Sequence, residues 1–304
     1  MELRHIRYFI RAAELLHFTH AAESFYISQP TLSLHIQQLE EELGLPLFNR
    51  IGRNVRLTEA GNVFLDQARK SVRELDIAME EIADMKGLKS GTLRLASLLL
   101  FGQEILPTWL AKFNCSYPNI QMVLKSGPSE QLEEELLAGQ VDLALSFVPP
   151  SSEELAYEKL FTEQIFFVVG EQHPLAGRAE ITLSELSTTP LAVVSNRTAA
   201  RKVLDRIFAE QQLKPKIMIE IDDLQALLKI AGTGNVGTLL GRLAVRKYPN
   251  LRLIPIADAS ITLHFGVLWH KHVHLSPPAR TFLEHVKRKC HNEPIHQIIS
   301  EEQQ

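Results

Sequence analysis

The chain has 304 residues, 45% of them hydrophobic and 22% charged, with a net charge of −4. This length leaves room for two or three compact units, and the composition is that of an ordinary soluble protein, not of a disordered or fibrous one. There is no signal-peptide pattern and no apolar run of about twenty residues, so a cytoplasmic chain with no membrane partner is expected. Cys115 and Cys290 are expected as buried or idle thiols in that compartment.

The first informative segment runs from Phe18 to Thr58. Thr19 is a candidate cap for a short helix in which Ala21 and Ala22 permit close packing. Tyr26-Ile27-Ser28 leaves room only for a turn. Ser28 or Gln29 then opens a second helix with Pro30 in its first turn, where the missing N–H costs nothing. Leu32, Ile36, Leu39 and Leu43 form one apolar stripe. Gln29, Thr31, Ser33, Leu34, His35 and Gln37 fall away from it and can reach base edges or phosphates. Gly44 reads as the C-terminal cap. Arg50, Arg53 and Arg56 follow with no acid between Phe48 and Leu57. Two helices, a tight turn and a basic hairpin in this order predict a winged helix-turn-helix. A three-helix bundle with a charged loop would share the pattern.

Net charge argues weakly against a nucleic-acid partner, because residues 1–57 hold six Arg and six Glu. The arginines of the hairpin are unopposed, however, while Glu40, Glu41 and Glu42 crowd the far end of the second helix. A local electrostatic footprint, doubled by dimerisation, is therefore expected.

The words MELRHIRYF, FTHAA, ISQPTLSLHIQQLEEELGLPLFNR and RLTEAG cover nearly all of residues 1–65 in one register. They resemble the DNA-binding domain of LysR-type transcriptional regulators. The resemblance implies that the helix bearing SQPTLS is the recognition helix, that Gln29, Pro30, Thr31 and Ser33 face DNA, and that Arg53 lies in the wing. Family members often carry Arg or Gln where Leu34 stands here. A contact with a thymine methyl group is available to Leu34 in place of an Arg–guanine pair.

Thr58 is a plausible N-cap for a long helix. In it Gly61, Leu65, Ala68, Val72, Leu75, Met79 and Ile82 recur at alternating intervals of four and three. Such a heptad period predicts a dimer seam, against the alternative of one helix lying on its own globular core. The resemblance agrees, since the family pairs its subunits through this linker helix. Residues 87–91, Gly-Leu-Lys-Ser-Gly, read as a hinge.

Beyond it, strand and helix patterns alternate. Strands are predicted over 92–96, 120–124, 141–147, 164–169, 191–194, 216–221, 251–256 and 261–268. Helices are predicted around Ile105–Phe113 and over 132–137, 199–211, 224–231 and 277–290. Alternation of this kind predicts parallel α/β sheets. The chain leaves the first sheet near Thr162 and returns near Val267, so two subdomains with a cleft between them are expected. The expected division is 1–58 for the DNA-binding domain, 59–87 for the linker helix, 88–91 for the hinge and 92–304 for an effector-binding domain. Within the last, subdomain I spans about 92–162 and 267–304 and subdomain II about 163–266. The region resembles the LysR effector domain, two Rossmann-like subdomains built like a periplasmic solute-binding protein.

That resemblance places Ser97, Leu98, Leu99 and Leu100 in one loop facing the cleft, and Gly127 and Ser129 in another. The first loop resembles the branch that controls aromatic-compound degradation, and Phe147 and Val148 stand where such relatives can carry arginine. Ser195, Arg197 and Thr198, with Asn196, approach from the other subdomain, with Arg197 the minor candidate. The hydroxyls have an alternative role as N-caps alone. Gly241 replaces a proline usual in the family. The expected effector is a small, partly apolar molecule, an aromatic or short-chain carboxylate, held by hydroxyls and helix amides.

Two enzyme-like signals are weak. Gly232-Thr-Gly234-Asn-Val-Gly237 matches GxGxxG but follows a helix and leads toward a strand, the reverse of a dinucleotide site. His270, His272 and His274 alternate, yet no carboxylate or Cys completes a metal set. The reading is a bacterial LysR-type regulator, not an enzyme, with no cofactor. Its expected partners are promoter DNA, a small effector, RNA polymerase and further copies of itself in a dimer of dimers. A cytoplasmic solute-binding module or an α/β enzyme is the alternative.

Overall fold

The computed structural model describes residues 1–51, 54–85, 90–195 and 198–292. Arg53, most of the expected hinge, Asn196 and Arg197 lie outside the described residues, as does the side chain of Arg50.

Helices α1 (Leu3–Leu15), α2 (Phe18–Glu23) and α3 (Gln29–Leu43) pack together and are followed by the hairpin β1 (Phe48–Ile51) and β2 (Asn54–Leu57). Phe9, Ala12, Ala21, Leu32, Ile36, Leu39 and Leu47 form their buried core. Leu43, expected on the α3 stripe, is exposed instead. The cap of α2 is His17, whose ring nitrogen accepts the His20 amide at 3.3 Å, so Thr19 lies inside the helix and does not cap it. Ser28 caps α3, Pro30 stands in its first turn, and Gly44 ends it at φ +70°.

Helix α4 (Glu59–Met85) starts with the Thr58 hydroxyl accepting the Gly61 amide at 2.9 Å. A Cβ on Gly61 would meet the Leu47 carbonyl oxygen at 2.1 Å, so only glycine lets α4 leave the hairpin at this angle. The predicted seam divides in two. Gly61, Leu65, Ala68 and Val72 are buried within the chain, Leu65 in the N-terminal core. Leu75, Met79 and Ile82 are 49%, 68% and 56% exposed. The expectation of one continuous intersubunit seam is thus corrected: half of the stripe holds α4 against its own chain, and Ile77, off the heptad pattern, is buried as well.

The remaining elements are β3 (Gly91–Ser97), α5 (Leu99–Glu104), α6 (Leu106–Ser116), β4 (Ile120–Ser126), α7 (Ser129–Leu137), β5 (Leu143–Phe147), β6 (Leu155–Gly170), α8 (Leu183–Thr188), β7 (Leu191–Val194), α9 (Ala199–Glu210), β8 (Ile217–Ile221), α10 (Leu224–Thr233), β9 (Thr238–Gly241), α11 (Arg242–Val245), β10 (Leu251–Ile254), β11 (Thr262–His270) and α12 (Pro277–Asn292). Strand β3 pairs β4 and β5 in parallel, and β7 pairs β8 in parallel. Strands β6, β9, β10 and β11 pair antiparallel. The sheets are therefore mixed, not purely parallel. The long strand β6 runs through both lobes: its residues 155–164 pair β11, which itself pairs β5, and its residues 165–170 pair β9 and β10. The predicted strand at 164–169 is the second half of β6, whose polar first half carries no apolar run.

Gly237, the last glycine of the GxGxxG word, is there for packing. A Cβ would lie 2.0 Å from the Phe167 ring, and the segment follows α10 and leads into β9, as a dinucleotide site does not.

Helix α4 meets the C-terminal lobes through a buried pair, Arg73 with Asp142, whose other oxygen accepts the Arg94 amide at 2.8 Å. Glu80 accepts the Thr92 amide at 3.3 Å and Arg280 reaches Glu81 at 3.0 Å on the same face. Removing one partner leaves the other charge buried and unpaired. Arg73→Ala should lower the unfolding free energy in denaturant titration by about 3–5 kcal/mol, and replacing both with apolar residues, Arg73→Met with Asp142→Leu, should restore most of it. A loss below about 1 kcal/mol in the single variant would show the pair to be solvent-screened.

Candidate functional sites

The outer face of α3 is polar and accessible. Gln29 Nε2 donates to Ser33 Oγ at 2.8 Å, the Ser28 and Thr31 hydroxyls are 2.7 Å apart, and Gln37 Nε2 donates to Glu41 at 2.9 Å. These are local bonds that base edges or phosphates can replace. Pro30 and Leu34 are exposed on the same face. His35 is placed differently from the others. Its ring lies 4.6 Å from that of His5 and 5.5 Å from that of Tyr8, so it helps seal α3 against α1. Burial and the neighbouring His35 hold the His5 pKa below its ordinary value. Tyr26, passed over as a turn residue, is 98% exposed at φ +56° where α2 hands over to α3. Its aromatic ring beside the SQPT word was the available signal.

The base of the wing is held by an acid. Glu40 Oε1 accepts the amides of Leu47 at 2.7 Å and Phe48 at 3.0 Å, so one of the three glutamates at the end of α3 is committed to backbone N–H groups. Arg56 on β2 is exposed.

The second site is a cavity of about 510 Å³ between the two lobes. Leu98, Leu99, Leu100, Gly127, Ser129, Phe147 and Thr198, all expected there, line it. Three expected residues do not. Ser97 is fully buried behind the first loop, close to Gly102. Val148 and Ser195 are also buried away from the wall, because β5 alternates sides after Phe147 and the Ser195 carbonyl is turned to α9, where it accepts the Thr198 amide and hydroxyl, each at 3.1 Å.

Three hydroxyls lie on the wall, Ser126, Ser129 and Thr198, and the last two are hydrogen-bonded within the chain. Thr198 Oγ1 accepts the Arg201 amide at 3.2 Å while donating to Ser195, and Ser129 donates to Glu130 at 3.1 Å. The N-terminus of α7 reaches the cavity at Gly127-Pro128-Ser129. Two ion pairs join the lobes beside it. Lys202 on α9 meets Glu130 on α7 at 2.9 Å, and Arg246 meets Glu104 at 2.6 Å.

Sequence reasoning missed most of the far wall, including Ile165, Leu204, Leu239, Leu240, Leu263, Phe265 and the carboxylates Glu163 and Asp222. Glu163 is the notable omission. It is only 9% exposed, and its Oε1 accepts the Leu243 amide at 2.6 Å. Burial pushes its pKa up to about 7, against the Leu243 amide and the Arg242 charge, which both favour the ionised form. Its signal in the sequence was an acid two residues before the apolar run Ile165–Val169. Among the described residues no cluster of His, Cys, Asp and Glu could hold a metal ion, and His270 and His272 lie in loose ring contact at 6.1 Å.

Known proteins match both units of the chain. Residues 3–62 match the family described as bacterial regulatory helix-turn-helix protein, lysR family, and residues 86–291 match LysR substrate binding domain. The HTH-type transcriptional regulator YybE of Bacillus subtilis is 32% identical over 286 residues, 94% of this chain and 98% of that protein. A full-length single-residue variant of OxyR from Pseudomonas aeruginosa shares the fold with a TM-score of 0.78 at 21% identity, over 97% of this chain and 96% of that one. The LysR-family regulator CbnR, solved full-length in complex with its target DNA, gives a TM-score of 0.67 at 24% identity, over 95% of this chain and 99% of that one. The chain belongs to the LysR family: it is a DNA-binding transcriptional regulator with a C-terminal effector-binding domain, and not an enzyme. Among the described residues no helix is long and apolar enough to cross a membrane.

The raised pKa of Glu163 has a stability consequence. Between pH 4.5 and about 7 the unfolded chain has lost this proton and the folded chain keeps it, so stability falls as pH rises through that window. The full loss for this one group is about 3 kcal/mol. Glu163→Gln, which stays neutral, should flatten the fall when unfolding is measured at pH 5 and pH 8. Parallel pH profiles for the two proteins would mean that Glu163 is not the buried acid described.

Proposed function

We propose that residues 1–58 read promoter DNA, 59–87 pair two copies of the chain, and 92–304 respond to a small molecule in the cavity between the lobes. The observation that carries this reading is that apolar cavity between two lobes joined by the Lys202–Glu130 and Arg246–Glu104 pairs, in a domain fastened to α4 by Arg73. A ligand that binds better at one lobe separation than another shifts the balance between them, and only by that difference in affinity. The shift passes through α4 to the spacing of the DNA-binding domains and so to DNA bending or to contact with RNA polymerase. Two linker-helix dimers joined through their effector domains make a tetramer in this scheme, acting in the cytoplasm where the promoter is.

Recognition of DNA falls to Gln29, Pro30, Thr31, Ser33, Leu34 and Gln37 on α3, with Arg50 and Arg53 on the wing and His35 in support. The complex of CbnR with its target DNA supports the expectation that this fold engages promoter DNA along its N-terminal unit. A band-shift assay with the DNA upstream of the chain's own gene tests the reading directly. Arg53→Ala should weaken binding to all sequences and lower the salt slope by about one, whereas Gln29→Ala or Ser33→Ala should cost about 1–3 kcal/mol of sequence preference. An unchanged salt slope for Arg53→Ala would remove the wing from the interface.

Pairing falls to the exposed Leu75, Met79 and Ile82, while Leu65, Ala68 and Val72 serve inside the chain. Leu75→Asp in the full chain should therefore reduce the assembly seen by sedimentation, because a charge is buried unpaired at a helix–helix contact. Val72→Asp should instead unfold the N-terminal unit. If Leu75→Asp sediments like the native protein, the exposed half of α4 is not the pairing surface.

A further inference from the structure

The geometry points to an apolar amine as the ligand class of this cavity, its ammonium group held by Glu163, in place of the carboxylate that the sequence suggested. The inference rests on the reading of the cavity as the effector site and names what that site selects.

The first ground is the wall itself. It is mostly Leu, Ile, Phe, Val and Ala, and its charged members, Glu163 and Asp222, are both acids. Among the described residues no Arg, Lys or His lines it. The cations nearby are committed elsewhere: Arg201 to Asp205 at 2.7 Å and Glu220 at 3.2 Å, Lys202 to Glu130, and Arg242 over the Phe166 ring at 5.1 Å. A carboxylate in this space finds no cation on the described wall to pair with, and whenever Glu163 is ionised it faces like charge. Two of the three wall hydroxyls, those of Thr198 and Ser129, are already bonded within the chain.

The second ground is steric. A Cβ on Gly241 would lie 2.2 Å from the Glu163 carboxyl carbon and 2.5 Å from each of its oxygens. The bare glycine at the end of β9 therefore makes room for the acid, and any side chain there would displace it. Oε1 is held by the Leu243 amide, and among the described residues no donor meets Oε2. With Oε1 fixed by the Leu243 amide, Oε2 is the oxygen left for an N–H from the ligand.

The third ground is charge. With its pKa near 7 the acid is largely protonated in slightly acidic solution, and an ammonium group beside it would favour the ionised form. The carboxyl O–H proton then passes to solvent and the carboxylate accepts the ammonium N–H. The ionisable groups on the surrounding elements are Arg242 on α11, Asp222 at the cavity edge, and His264 on β11, which is bonded to Thr162 at 2.9 Å.

Calorimetry on the full chain with hexylamine and phenethylamine, against hexanoate, hydrocinnamate and hexanol, tests the proposal. The amines should bind at least about tenfold more tightly than the matched acids. Near pH 6 each amine should release on the order of one proton, read from the dependence of heat on buffer ionisation. Glu163→Gln should weaken amine binding about ten- to a hundredfold, and Gly241→Ala should do the same by displacing the acid. Proton release from the native protein gives the answer even where a variant fails to fold. Acids binding as well as amines, amine binding without proton release, or no amine binding at all would overturn the ligand class. The same native protein in a band shift with its upstream DNA reports on the regulator reading separately, since that assay needs no ligand.

Discussion

Two antiparallel strands, β6 and β11, carry the chain from one lobe to the other, and the rest of the C-terminal half is arranged around that pair. Strand β6 serves two sheets, while β11 brings the chain back to the first lobe beside β5. The first half of β6 is hydrogen-bonded to β11, and its second half to β9 and β10. The residues at the handover, Glu163 and Ile165 on β6 and Leu263 and Phe265 on β11, become the floor of the cavity. Continuous strands resist shear at that point, while the side contacts are ion pairs between partly exposed helices, Lys202 with Glu130 being the weaker kind. Relative motion of the lobes is therefore cheapest as rotation about the strand pair, which changes the walls more than the floor. A carboxylate mounted on the floor keeps its place while the walls adjust to a ligand.

Helix α4 divides its apolar stripe between two tasks. Its first half packs on α1 and the wing base, Arg7 meets Asp76 at 2.6 Å further along, and Leu75, Met79 and Ile82 stand outward. Between them Arg73 reaches into the C-terminal lobe, where Asp142 and the Arg94 amide receive it. Charges in such a setting gain little net stability over apolar packing, because removing both from water is costly. Their effect is on geometry. A buried pair tolerates few relative positions, so it fixes where along α4 the lobe attaches. That fixed attachment is what would let a change in the lobe be felt at α1.

The N-terminal half was readable in the sequence because its determinants are local. Ser28, Pro30, Gly44 and the Leu32-Ile36-Leu39 stripe act within one helix, and each takes its predicted place. Most strands and the longer helices beyond residue 91 were also readable from alternation, though not β9 or the short α5, α8 and α11, and the first-loop leucines were placed on the cavity wall. What could not be read depends on contacts distant in sequence. The heptad pattern of α4 says that a stripe is apolar but not which partner covers each part of it. The polar first half of β6, residues 155–162, lacks an alternating pattern because its neighbours are β11 and solvent together. Glu163 and Gly241 are 78 positions apart, and neither explains itself alone: the acid looks like a solvated strand end and the glycine like an unexplained departure from the family's proline.

The same distinction resolves the charge balance of the N-terminal domain, which by count is neutral. Counting treats Glu40 as an exposed anion beside the proposed DNA face, where it would repel phosphate. In the fold its carboxylate is spent on two wing amides, Leu47 and Phe48, and Gln37 donates to Glu41. Both acids sit toward the C-terminal end of α3, far from Gln29 and Thr31 at its start. The helix dipole runs the same way, placing its positive end at the SQPT word where phosphate or base acceptors would approach. Glu40 thus holds the wing base, and the acids of α3 lie at the end opposite its SQPT word.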